Sequence, residues 1–176
     1  MPDFPPPPTP RIVLEETFTS WNFKGLINLP CGAYEGSEIN IHVDEEHDVA
    51  FITWLDPDGG THIGCWKLSD LSLLWYIPEA SGVARYEGGC TGSHGAMDCE
   101  LTNMDIVCSR NKYVANLRDD GKTIDILNHE GLLQTIDLTE YADFYEIALL
   151  HFSRTAKYIF AFPLYESYVL VFEGQQ

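Results

Sequence analysis

Cys90, His94, Cys99 and Cys108 are the side chains whose types best suit chemistry in this chain. Thiolate and imidazole are the usual zinc ligands, but zinc sites are built on closely spaced Cys pairs. No Cys-x₂-Cys pair occurs here, and Cys108 falls in an apolar strand pattern beside Ile106. The group therefore reads as thiols in and beside a loop, with no metal expected. Asp56-Pro57-Asp58-Gly59 resembles the start of a calcium loop. Such a loop needs a third oxygen ligand and a closing Glu. Gly60 and Lys67 stand at those positions, so a turn is expected instead. Gly92-Ser93-His94-Gly95 lacks the spacing and the strand-to-helix context of a nucleophile elbow. Cys65 and His62 lie three apart on a predicted strand, where side chains point to opposite faces. Gly88-Gly89-Cys90-Thr91-Gly92 has no Lys-Ser/Thr after it to complete a phosphate loop. The acid pairs Glu15-Glu16, Glu45-Glu46 and Asp119-Asp120 read as solvated turn residues, because glycosidase chemistry needs two carboxyls set across a cleft. No catalytic set, cofactor or metal is expected, and the chain reads as non-enzymatic.

Charge narrows the partner classes. Asp plus Glu number 27 against 10 Lys plus Arg, a formal net charge of −17. The deficit of bases is spread along the chain, with 16 acids and 4 bases in the first hundred residues. Nucleic-acid binding rests on Lys and Arg neutralising phosphates, and anionic membranes make the same demand. Neither partner is expected; a protein partner is, and the charge would steer a basic one. No apolar run approaches the ~20 residues of a membrane-spanning helix. Residues 1–10, with Pro5 to Pro8, read as a disordered Pro-rich tail rather than a secretory leader. Five cysteines, an odd number without a leader, suit a reduced compartment, so a cytoplasmic or nuclear location is expected. Cys65 and Cys108 are expected to act as small core residues.

The elements that would position these residues are strands. Residues 39–43 alternate apolar and polar, and 49–55, 62–68 and 71–77 follow, each separated by a turn of Asp, Gly or Ser. On period two, Leu71, Leu73, Trp75 and Ile77 share one face. The unit recurs as 104–108, 113–117, 123–127 and 132–138, with Arg118-Asp119-Asp120-Gly121 as a type I′ hairpin signal. A third unit, 147–152, 158–162 and 168–172, stops one strand short. Residues 11–14 are a candidate extra strand, and 79–103, rich in Gly and Ser, read as an inserted loop. The expectation is one all-β domain over 11–176, made of about three antiparallel four-stranded meanders, with a β-sandwich or barrel as the alternative.

The segments VDEEHDVAFITWLDPDGGTHIGCWKLSDLSLLW, DIVCSRNKYVANLRDDGKTIDILNHEGLLQTIDL and LLHFSRTAKYIFAFPLYESYVLVFEG resemble blades of WD40-like β-propellers. More narrowly, their strand-and-turn texture resembles the C-terminal propeller-like region of fungal F-box proteins. The resemblance implies an open or partial propeller that serves as a protein-interaction module or scaffold, and as a substrate-recognition part where an F-box is present. A small barrel or sandwich enzyme or ligand carrier, and a truncated propeller without independent function, remain as other readings. The aromatics Trp21, Phe23, Trp54, Trp66, Trp75 and Tyr76 read first as core or sheet-packing residues; Trp66 and Tyr76, opposite to or out of phase with the Leu71/Trp75 series, are the candidates for exposed partner-binding anchors, since Trp and Tyr dominate interface hot spots. Tyr86 and His94, in the inserted loop, join them as candidates. Deleting residues 82–96 is expected to leave cooperative unfolding intact and to abolish partner capture, readable by thermal melting and pull-down.

Overall fold

The structure is a computed structural model of the chain. It describes residues 5, 17–30, 39–55, 60–78, 99–102 and 105–176, with the backbone alone for 99–102 and 105–109. The protein is all-β. Its strands are β1 (Ser20–Asn28), β2 (Asn40–Asp44), β3 (Val49–Leu55), β4 (Thr61–Lys67), β5 (Leu73–Ile77), β6 (Cys99–Thr102), β7 (Asp105–Arg110), β8 (Tyr113–Leu117), β9 (Thr123–Asn128), β10 (Gly131–Asp137), β11 (Ile147–Phe152), β12 (Tyr158–Pro163) and β13 (Tyr168–Gln175). One 3-10 turn, Leu138–Glu140, follows β10.

These strands form three antiparallel sheets. The first meander has the order β2-β3-β4-β5 and the second β10-β9-β8-β7-β6. The third sheet is β1-β13-β12-β11. The strand missing from the end of the third unit is therefore supplied by the start of the chain. Among the described residues no sheet closes on itself, so the barrel alternative does not hold. Cys99–Thr102, expected inside the inserted loop, pair with β7 as a fifth strand of the second meander. The candidate strand at 11–14 lies outside the described residues, as does the tail apart from Pro5.

The third sheet is the middle layer. Every residue of β12 is buried. Its side chains alternate between two cores, because successive strand residues face opposite ways. Ile159 and Ala161 join Leu170, Phe172, Trp21 and the second-meander residues Tyr113, Ile124 and Ile126. Tyr158, Phe160 and Phe162 join Val169, Val171 and the first-meander residues Ile41, Ile52, Trp54 and Trp66. A sheet covered on both faces reads as a continuous apolar run, as Tyr158-Ile159-Phe160-Ala161-Phe162 does.

β1 is tied in by more than its ladder to β13. A bulge between Phe23 and Gly25 shifts its phase, so Leu26 packs on the Trp21 side while Ile27 enters the other core. Gln134 of the second meander brackets Trp21 as a strand would, accepting from the Trp21 N–H at 2.7 Å and donating to its carbonyl at 2.9 Å. The Trp21 indole N–H donates to the Ala156 carbonyl at 2.8 Å. The Tyr113 hydroxyl accepts from the Phe18 N–H at 2.7 Å and donates to the Phe18 carbonyl. The Phe18 ring lies flat against β13, where a Cβ on Gly174 would come within 2.6 Å of it.

The hairpin at 118–121 differs from its sequence expectation. Gly121 has φ +69° and donates to the Arg118 carbonyl at 2.9 Å, and neither Asp119 nor Asp120 has positive φ. A type I′ turn needs positive φ at both central residues, so this is a type I turn followed by a left-handed glycine. Asp120 makes that geometry affordable by accepting from the Lys122 and Thr123 N–H groups and the Thr123 hydroxyl.

Trp21→Ala is expected to cost about 3–5 kcal/mol in urea unfolding, the range for emptying a large aromatic site in a core. Tyr141→Ala, at a partly exposed ring stacked on Phe23, is expected to cost markedly less in the same assay.

Candidate functional site

The first meander presents the apolar feature most in need of explanation. β5 is the last strand in its sheet's order, and its sequence Leu-Leu-Trp-Tyr-Ile carries no charge. Leu73, Leu74, Trp75 and Ile77 are exposed at 45%, 52%, 40% and 43%. Other exposed large apolar side chains, such as Leu132, Tyr145 and Tyr165, are separated along the chain. Scattered exposed apolar residues are ordinary, whereas a contiguous set marks a contact surface.

A bulge sets which way these side chains point. Cys65 pairs with Trp75, but Trp66 pairs with Leu73, leaving Leu74 as the extra residue. Cross-strand partners share a face. Leu73 therefore goes with Trp66 on the core side, while Trp75 and Ile77 go with Cys65 and Ile63 on the outward side. The single face expected for Leu73, Trp75 and Ile77 is split at Leu74. On the outward side the His42, Phe51 and Trp75 rings form a row, with centroids 6.1 and 6.0 Å apart. Cys65 lies beneath this row, and burial pushes its thiol up.

Trp66 takes the core role, not that of an exposed anchor. It is 1% exposed, with its indole folded back over Gly64, where any Cβ would collide with the ring. The out-of-phase positions proved to be the core-facing ones. Tyr76 is half-buried on the same side. Its ring lies nearly parallel to Trp54 and His62, and its hydroxyl is 2.6 Å from His62 Nδ1. His62 is itself buried against Trp54. Tyr86 and His94 lie outside the described residues. The sequence reading thus missed Trp75, Ile77 and the two leucines. Their uncharged run at the end of a meander was the available signal.

The residues considered for chemistry are only partly described. Cys99 and Cys108 are register partners across β6 and β7, while Cys90 and His94 lie outside the described residues. So does the turn at 56–59. Among the described residues, no group of three His, Cys, Asp or Glu side chains is placed to hold a metal ion. Glu45 is structural: it accepts from the Ser153 and Thr155 hydroxyls and the Thr155 N–H, fastening the β2–β3 turn to the β11–β12 turn. Among the described residues, no helix is long and apolar enough to cross a membrane.

A second locus lies where the sheets meet. His151 on β11 is 2% exposed, its ring is 6.2 Å from Phe160, and its Nδ1 has no hydrogen-bond partner. Burial, then Coulombic repulsion from Arg110 on β7 and a smaller one from His42 on β2, pushes its pKa down to about 3. One basic side chain from each sheet thus acts at this junction.

The chain was compared with protein-family models and with curated proteins, and neither comparison found a match. The site's geometry is the ground for any functional reading.

His151 is protonated more readily in the unfolded chain, near its ordinary value of 6.5, than in the folded one. Its contribution to stability is thus intact above pH 6.5 and is lost as pH falls towards 3. A loss of about 2–3 kcal/mol is expected between pH 6.5 and 4.5, from 1.36 kcal/mol per unit of pKa difference. Urea unfolding across that range checks it, and His151→Leu should flatten the slope. The lowered carboxylates Asp44, Asp120 and Asp125 titrate below this window, where their stabilisation is lost.

Proposed function

We propose that this protein is a non-catalytic protein-interaction module, built as a partial propeller of three blade-like meanders, that docks a protein partner along β5. The observation that carries the reading is the uncharged edge strand with four neighbouring side chains 40% or more exposed. Covering them would remove apolar surface from water at about 25 cal/mol per Å². Trp75, packed against the tilted Phe51 ring, is the natural anchor, because a rigid aromatic loses little freedom on binding. The stack of sheets supports the reading by supplying a rigid base for this strand. Where the chain works beside an F-box, the same surface would serve substrate recognition.

The test is recovery of partners from a lysate of the cells that make the protein. Leu74→Lys combined with Ile77→Lys is expected to melt like the parent and to lose at least about tenfold in recovery of the specific partner, as hot-spot loss does. Tyr145→Ser combined with Tyr165→Ser should leave recovery unchanged. Equal recovery by the β5 variant would remove the basis for this reading.

A further inference from the structure

We propose that Cys99 and Cys108 are a redox modification site, a pair that closes a reversible disulfide across β6 and β7 when a small-molecule disulfide oxidises it. The two residues are register partners in an antiparallel ladder. That ladder runs without a shift through Glu100↔Val107 and Leu101↔Ile106 to Thr102↔Asp105. Directly opposed residues in such a ladder stand about 4.5–5.5 Å apart at Cα, inside the span of about 4.4–6.8 Å that a disulfide requires. They also share one face of the sheet. Both cysteines are therefore placed where a bond closes with little backbone movement.

The remaining cysteines are placed differently. Cys65 is buried on β4, in another sheet. Cys31 and Cys90 lie outside the described residues. A structural zinc needs four ligands, and the ladder supplies two. Two sulfurs opposed across a ladder suit a bond to each other.

The pair continues a covered row. Cys108 is opposite Ala115 on its other side, and Ala115 is opposite Ile126. Ala115 and Ile126 are buried in the core between the second meander and the third sheet. The cysteines extend the row to β6, the last strand in the order of its sheet. Reduced, they serve there as small apolar residues. Oxidised, they fasten β6 covalently to β7, which itself packs on β11 of the third sheet.

The chemistry is a thiol–disulfide exchange. The thiolate of one cysteine attacks a sulfur of the small disulfide, forming a mixed disulfide and releasing one thiolate. The thiolate of the other cysteine then attacks the protein sulfur of that mixed bond and releases the second. Two protein thiols are oxidised, one disulfide is reduced, and the two thiol protons pass to the two leaving sulfurs. The loop closed is short, so the bond constrains the unfolded chain less than a long-loop bond does, and excess thiol reverses it.

The methionines make the pairing directly readable. Cyanogen bromide cuts after Met97 and Met104, and Met104 stands between the two cysteines. Fragment 98–104 then carries Cys99 alone and fragment 105–176 carries Cys108 alone, while Cys31, Cys65 and Cys90 stay in the fragment that ends at Met97. The full, folded chain is incubated with glutathione disulfide, its remaining thiols are blocked, and the cleavage products are weighed before and after reduction. Fragment 98–104 is expected to be joined to 105–176 at every protein concentration and to be freed by reduction. Amide exchange in β6 is expected to slow by at least about tenfold on oxidation, and to be unchanged by it in Cys99→Ser and in Cys108→Ser.

Fragment 98–104 joined to the fragment ending at Met97, or carrying glutathione alone, would overturn the pairing. Joining that rises with protein concentration would assign the bond to two copies and overturn it as well. Stoichiometric zinc in the chain as purified, lost when these thiols are oxidised, would assign the pair to a metal site instead.

Discussion

The pairing of β1 with β13 is the constraint on which the other layers depend. It brings the start of the chain to the end of the third unit and makes a four-stranded sheet out of three consecutive strands and one distant one. That sheet is the only layer of the stack that contributes to both cores among the described residues. The first meander packs on one side of it and the second on the other. Trp21 concentrates the linkage, because its backbone meets Gln134, its indole N–H meets Ala156, and its ring meets Tyr113 edge-on at 5.0 Å. Non-local pairing of this kind costs loop-closure entropy before any contact compensates, so the apolar burial around β1 has to be large.

Burying both faces of the third sheet has consequences elsewhere. The outer meanders each bury one face against it, and their far faces and edges are left to other solutions. The second meander meets water with polar groups, such as the Arg118–Asp125 ion pair and the Thr135 hydroxyl bonded to Asp125. The first meander ends instead in an uncharged strand. His151 marks the cost of bringing three sheets together at one place: a polar ring sits without a partner on Nδ1, neutral between basic neighbours.

Much of the fold was legible in the residues. The strands of all three units follow apolar alternation and turn residues closely, since local pattern and local structure carry the same information there. β1 was not legible in Ser-Trp-Asn-Phe-Lys-Gly-Leu-Ile-Asn, because the bulge at Phe23/Gly25 breaks the period-two pattern midway and its partner lies far along the chain. The faces of β5 failed for a related reason. Alternation separates two faces without saying which is covered, and one extra residue exchanges them. The bulge at Leu74 did so within β5, leaving Leu73 and Tyr76 on the core side with Trp66 and Gly64, and Trp75 and Ile77 outward. For the candidate site, residue types pointed to aromatics in the right strands, but only tertiary packing told the anchors from the core.

The central claim is that β1 and β13 form one cooperative sheet that carries the other layers. Native-state amide hydrogen exchange across increasing urea tests it directly. Amides in β1 should exchange through the same global opening as those of β12 and β13. Rapid exchange of β1 while β12 and β13 stay protected would contradict the account.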